Sequence, residues 1–303
     1  SILTDGENLT LLWAPKGAAS GSATFVTSLF AEEPGLLDGF VALLDARRFF
    51  ASGESDTIES LFRQSADAQA EVTITLGRQV RSAVELLVDA IGRADRERDG
   101  ALLIGIAPSE VYSSVVTVLM RLVFMLSAEE RGLFPLSDPV YSSNYSVARL
   151  REQLREQARW GIEALERRTS AWHRLLALFR AVHGGVNHSE FRLPAYGGSL
   201  FDPNRYPFLE GRDSDTDWKE VDSNPLPVDD RTVLAILDEL KILRIGGEAR
   251  TVSYRTLDIE QIGHVYEGLL DHGCLRAQDT VLGFAGRAAE GEEILLSEAE
   301  AQL

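Results

Sequence analysis

The stretch from Ser109 to Arg131 constrains this chain most. Between Val115 and Leu126 it is apolar nearly all round, interrupted by a single charge at Arg121. A helix that is apolar on every side needs neighbours on several sides, so this segment is expected to be the central helix of a helical core. Arg121 and Glu129, carried on it, then each require a partner inside the protein. The run falls short of the roughly 20 residues a membrane-spanning helix needs, and no membrane segment is expected.

The flanking segments repeat the helical period. Leu76, Val80, Ala83, Leu87 and Ile91 form one apolar stripe, which predicts an amphipathic helix of about 25 residues ending near Arg98-Asp99-Gly100. From Ser146, a second stripe runs through Val147, Leu150, Leu154, Ala158, Ile162 and Leu165. After a break near Thr169-Ser170 a third continues through Trp172, Leu175, Phe179 and Val182 to Gly184-Gly185. Helix returns from Val228 to Leu243 and again after Leu257. There Asp258 reads as the N-cap, Gln261 reaches back to it, and Leu257 staples against Ile262.

Strand signals are short. Before the first helix, near Leu36, the chain reads as a strand, a turn at Asp5-Gly6, a strand over Leu9 to Ala14, a Gly/Ser loop at Gly17 to Gly21, and a strand near Ala23 to Val26. Hairpins are expected through Gly246-Gly247 and between Thr280 to Phe284 and Glu293 to Leu296. Residues 184–226 hold glycines, prolines, aromatics and the acidic run Asp213 to Asp217 without periodicity, the pattern of a long loop. The expected fold is therefore mainly α, a multi-helix bundle-like domain with short peripheral β-hairpins. Its organisation is expected as follows: 1–30 the end of a preceding domain, 31–183 helical, 184–226 loop, and 227–303 a helix-hairpin-helix region leading into a following domain. Ser297 and Glu300 repeat the capping-box pattern where the chain stops, so a further helix is expected beyond it.

Charge is unevenly placed. With 30 Lys and Arg against 47 Asp and Glu, the net charge of −17 excludes a protein that coats DNA nonspecifically. Yet residues 146–180 carry eight arginines against four glutamates, whereas residues from 201 onward carry ten basic against twenty-two acidic side chains. Arg151, Arg155, Arg159, Arg167 and Arg168 are the candidate double-stranded DNA contacts on this one positive stretch, with Trp160 and Trp172 interleaved. Trp172 lies among leucines at helical spacing and is expected in the core. Only Lys16, Lys219 and Lys241 are lysines; the excess of arginine suits bidentate phosphate contacts, and a genome-wide codon bias would give the same ratio without function. A single cysteine, Cys274, and the absence of an apolar leader point to a reducing cytoplasm.

Catalytic patterns fail on inspection. Asp217-Trp218-Lys219 and Glu239-Leu240-Lys241 have the (D/E)-x-K spacing of Mg²⁺ nucleases, but the first lies in an acidic loop and the second on a helix, where i and i+2 diverge. His183, His188 and Glu190 lack a zinc spacing, and His272 with Cys274 supply two ligands where four are needed. There is no nucleophile elbow and no P-loop. Phe284-Ala285-Gly286-Arg287-Ala288 lacks the second glycine of an S-adenosylmethionine turn. No catalytic residue, metal or cofactor is expected in this chain.

Three segments together resemble a known family. They are Leu126-Ser127-Ala128-Glu129-Glu130-Arg131-Gly132-Leu133-Phe134-Pro135, followed by Tyr141 and Tyr145-Ser146; Pro194-Ala195-Tyr196-Gly197-Gly198-Ser199-Leu200-Phe201-Asp202; and Tyr254 to Leu270, with Ile262-Gly263-His264-Val265-Tyr266-Glu267-Gly268 at its centre. Over residues 30 to 275 the chain is similar to the helical region ahead of the methyltransferase domain in large bacterial DNA N6-adenine methyltransferases. These include type IIG restriction-modification enzymes and the methylases of BREX (PglX-like) and DISARM phage defence. The resemblance implies a nuclease-like domain before this region and an S-adenosylmethionine-dependent methyltransferase after it as the chain's partners, so that enzyme identity belongs to the full-length parent. Tyr196, Gly197, Gly198, Phe201, Asp202, Tyr266 and Glu267 would be its domain-interface residues. The family's Asn-Pro-Pro-(Tyr/Phe) tetrapeptide, which holds the flipped adenine, has no counterpart; Asn224-Pro225-Leu226 lacks the second proline and the ring. The reading from another class is a helical protein-protein interaction module that recruits other defence components without touching DNA.

Overall fold

The computed structural model describes residues 1–14, 21–31, 34–50, 53, 57–245, 248–254, 259–270, 272–277, 280–283 and 293–296. Among them the chain is mainly α, with ten α-helices and short antiparallel strand pairings. It divides into two compact units, Ser1–Ile74 and Thr75–Leu303.

In the first unit, β1 (Ile2–Thr4), β2 (Asn8–Trp13) and β3 (Gly21–Val26) form an antiparallel meander with Leu11 opposite Ala23. Asp5 closes the first turn by accepting the Glu7 and Asn8 amides at 2.9 and 2.6 Å, and Gly6 supplies the positive φ of 98°. Three strands alone make a marginal sheet. Here α1 (Pro34–Leu44) supplies Phe40, whose ring lies 5.2 Å from Phe25 and 5.3 Å from Phe30, while Trp13 stacks on Phe62 at 5.6 Å. A short α2 (Ala46–Phe50) follows.

Helix α3 (Ile58–Arg96) is longer than its stripe predicts, at 39 residues. The extra length precedes the stripe, beginning at Ile58, and the Gln64 to Glu71 sequence within it carries no apolar period that would announce it. It ends where expected: Asp99 and Gly100 take φ of 54° and 78°, and the Gly100 amide bonds the Asp95 carbonyl at 2.8 Å.

Helix α4 (Pro108–Glu130) is the enclosed helix the sequence demands, with Val115, Leu119, Leu122, Met125 and Leu126 at most 2% exposed. By length and hydropathy it would suffice to cross a membrane, but 78% of its apolar window is buried against protein. The helices that follow it are α5 (Pro139–Asn144), α6 (Val147–Ala158), which packs on α4, α7 (Glu163–Glu166), which packs on α6 and α9, α8 (Ser170–Gly184), α9 (Asp230–Lys241) and α10 (Ile259–Leu270). The stripe from Ser146 is not one helix. It breaks at Arg159-Trp160-Gly161, where Gly161 adopts φ 128°, a conformation that a side chain strains.

Long-range polar contacts fasten these helices. Gln79 Nε2 of α3 donates to the Ile242 carbonyl at 2.6 Å, and Tyr112 of α4 to the Leu269 carbonyl at 2.6 Å. Asp230, fully buried, accepts the Ala171 amide at 2.7 Å and the Ser170 hydroxyl at 2.9 Å, thereby capping α8 from another element where Thr169 gives no cap. The strand pairs β4 (Val186–Asn187) with β5 (Arg192–Leu193), β6 (Ile242–Ile245) with β7 (Glu248–Thr251), and β8 (Val281–Gly283) with β9 (Glu293–Leu295) are all antiparallel hairpins. The Leu257-Asp258 helix start, residues 15–20 with most of the first Gly/Ser loop, the Gly246-Gly247 turn, the Phe284 to Ala288 segment and the Ser297/Glu300 pair lie outside the described residues.

Candidate functional site

The segments that carry the family resemblance supply the junctions of the second unit. Glu129, near the end of α4, is 3% exposed. Its Oε1 accepts the Tyr141 hydroxyl at 3.0 Å and the Val147 amide at 2.8 Å; its Oε2 accepts the Ser146 hydroxyl and the Ala148 amide, both at 3.1 Å. One carboxylate thereby closes the N-terminus of α6, where Ser146 also caps the Arg149 amide, and the free helix amides favour negative charge. Burial raises the Glu129 pKa above the ordinary carboxylate value, while the four donors pull the other way. Burial, helped by the nearby Glu129, raises the Tyr141 phenol as well.

Arg121 finds its partner in the second segment. Its guanidinium, 3% exposed, donates to the Leu200 carbonyl at 2.6 Å and the Asp202 carbonyl at 3.1 Å, and lies over the Phe179 ring at 5.2 Å. Burial lowers its pKa to about 10, still charged at neutral pH. Phe201 packs between Phe124 at 5.4 Å and Phe179 at 5.9 Å. The Asp202 carboxylate accepts the Asn204 amide at 2.9 Å. Upstream, the Tyr196 and Gly197 amides bond the Val182 and His183 carbonyls at 2.9 and 3.1 Å, satisfying the end of α8. The Tyr196 hydroxyl donates to the Leu133 carbonyl at 3.3 Å. Gly197 and Gly198 take φ of 62° and 78°, which glycine adopts without strain.

Residues 203–226 are pinned by a charge cluster that the sequence does not reveal. Arg180 binds Glu210 through two bonds at 2.8 and 2.6 Å, and Glu210 meets the buried Arg212 at 2.8 Å. Arg212 also donates to the Pro203 and Thr216 carbonyls at 2.7 and 2.8 Å. A Cβ on Gly211 would sit 1.9 Å from the Asn224 carbonyl oxygen, so Asn224-Pro225 serves as the seat of a backbone crossing. Nearby lies an open cleft of about 650 Å³, with Arg98, Glu110, Phe208, Asp213, Asn224 and Leu226 among its walls.

The candidate arginines divide into two groups. Arg151 and Arg155 both bind Asp238 of α9, with Nε to oxygen distances of 2.7 and 3.1 Å, and so staple α6 to α9. Arg159, 79% exposed, has Glu156 at 4.0 Å. Arg168 donates to Gln157 at 3.2 Å, and the exposed Arg167 side chain makes no hydrogen bond or ion pair among the described residues. Trp172 is buried as expected, at 1% exposure, whereas Trp160 is 89% exposed. A furrow of about 510 Å³ along α6 is lined by Arg149, Arg151, Arg155 and Arg159 with the acids and amides between them.

The remaining candidates are engaged elsewhere. Asp217 accepts the Lys219 amide at 2.8 Å while Lys219 Nζ lies 5.4 Å over the Trp218 ring. Glu239 binds Arg244 at 2.8 Å, and Lys241 binds Glu130 and the Val252 carbonyl, so the helical spacing does separate that pair. His188 Nδ1 accepts the Glu190 amide at 3.3 Å, and His183 meets Trp218 edge-on at 6.2 Å. The Cys274 thiol donates to the Pro108 carbonyl at 2.8 Å, and burial raises its pKa. Tyr266 and Glu267 are both exposed on α10. Among the described residues no group of three His, Cys, Asp or Glu is arranged to hold a metal.

No family model, no curated protein and no solved structure matches the chain.

Proposed function

We propose that this chain is a non-catalytic helical connector of a bacterial DNA N6-adenine methyltransferase used in phage defence. It holds a nuclease-like domain and a methyltransferase domain of the parent at fixed positions, and the parent works in the cytoplasm. The observation that carries the reading is the use to which the resembling segments are put. Glu129 of the first segment closes α6, and the second segment is clasped by Arg121 at Leu200 and Asp202. Tyr254, at the head of the third, is fully buried and donates to the Leu240 carbonyl at 2.7 Å. Their polar groups hold the bundle together, which is the work of a scaffold that others dock onto. S-adenosylmethionine chemistry then belongs to the parent's methyltransferase domain.

Titration calorimetry of the 303-residue chain with S-adenosylmethionine tests this. The expected result is no heat of binding and no methyl transfer to duplex DNA. Saturable binding of the cofactor would overturn the connector reading and place a catalytic site in this chain.

A further inference from the structure

We propose that the turn joining α6 to α7 is a docking platform for single-stranded nucleic acid, with Trp160 stacking on an unpaired base and Arg159, Arg167 and Arg168 contacting the flanking phosphates. This goes beyond the connector reading and stands without it.

Trp160 is held out by ordered backbone. Its amide bonds the Gln157 carbonyl at 3.1 Å, and the next amide, Gly161, bonds the Ala158 carbonyl at 3.1 Å. An indole 89% exposed forgoes the burial that Trp172 obtains twelve residues later. The cations flank the ring in sequence, Arg159 just before it and the exposed Arg167 and Arg168 just after the one-turn α7. Arg168 is drawn back to the end of α6 by Gln157, the residue whose carbonyl holds the Trp160 amide.

Opposite charges nearby decide how much of this is free for a ligand. Arg151 and Arg155 are committed to Asp238, and Glu166 is committed to Arg231. Glu156 lies 4.0 Å from Arg159, and the Glu163 carboxylate lies against Gly161, 3.2 Å from where a Cβ would be. Between Glu156 and Arg168 the three arginines not committed elsewhere, Arg159, Arg167 and Arg168, outnumber Glu156 and Glu163, and this local excess is positive on a protein of net charge −17. Anionic backbone together with exposed π-faces is the chemistry that fits a ring flanked by arginines. A duplex hides its base faces and would leave the ring unused. An acidic peptide would use the arginines alone.

Fluorescence anisotropy of a labelled oligothymidylate with the full chain tests the platform, with a duplex of equal length and polyglutamate as comparisons. The strand is expected to bind more tightly than either. Trp160→Ala should weaken it about tenfold and Trp160→Phe should keep most of the affinity. Arg159→Gln and Arg167→Gln should each flatten the slope of log affinity against log salt by about 0.7. All these side chains are exposed, so thermal melts of the variants should superimpose on the wild type. No binding by the wild-type chain, equal binding of duplex or polyglutamate, or an unchanged affinity in Trp160→Ala would each overturn the proposal. None of these outcomes bears on cofactor binding, which decides the connector reading by itself.

Discussion

At Glu129 a carboxylate 3% exposed accepts four hydrogen bonds, two from hydroxyls and two from the first amides of α6. Glutamine keeps the shape but not the chemistry, because its amide nitrogen would face donors where an acceptor is needed. Each buried donor that meets the glutamine nitrogen is left without an acceptor, so Glu129→Gln is expected to cost about 2–3 kcal/mol in urea unfolding. The pH dependence has a definite sign. Since the folded pKa is raised, the folded protein binds the Glu129 proton more tightly than the unfolded chain does. The advantage of wild type over Glu129→Gln should therefore be largest below the ordinary carboxylate pKa. It should shrink as pH rises towards the raised folded value and level off above it. Urea midpoints of both proteins across the mildly acidic range check this, and an advantage that grows with pH would mean that the four donors outweigh burial.

Helix α4 shows which parts of an element are legible in sequence. Its all-round apolar surface announces enclosure, and enclosure announces that Arg121 and Glu129 need partners. The identity of those partners is hidden, because Arg121 chooses backbone carbonyls at Leu200 and Asp202, and a carbonyl carries no sequence signature. The same reason hides Asp230, which caps a helix that begins sixty residues earlier in the chain, and Asp238, which draws in two arginines that look free on a helical wheel. Long-range pairing is set by packing, whereas stripes and turn glycines are local and readable. Arg121→Met tests the junction this creates: methionine fills the volume but leaves the two carbonyls without their donor. The expected loss is about 2–3 kcal/mol, with faster proteolysis confined to the segment around Gly198 to Arg205. Equal protease resistance in variant and wild type would show that the Phe124–Phe201–Phe179 stack alone holds this segment in place.

Across the whole molecule, 47 acidic residues oppose 30 basic ones, and two electrostatic effects of opposite sign follow. Exposed pairs such as Arg149–Glu152 and Arg63–Glu59 are in contact and weakly stabilising, each contributing about 0–1 kcal/mol. Repulsion among the excess carboxylates acts over longer distances and favours the expanded chain. Salt does not weaken the two equally. With a Debye length of about 10 Å at 0.1 M, long-range repulsion is screened before contacts shorter than 4 Å, and the buried Glu210–Arg212 pair is screened least. Raising sodium chloride from low to physiological concentration at neutral pH is therefore expected to raise the thermal midpoint, by a few degrees in scanning calorimetry. A midpoint that falls instead would mean that the exposed arginine pairs, rather than the acidic surplus, dominate the surface energetics of this chain.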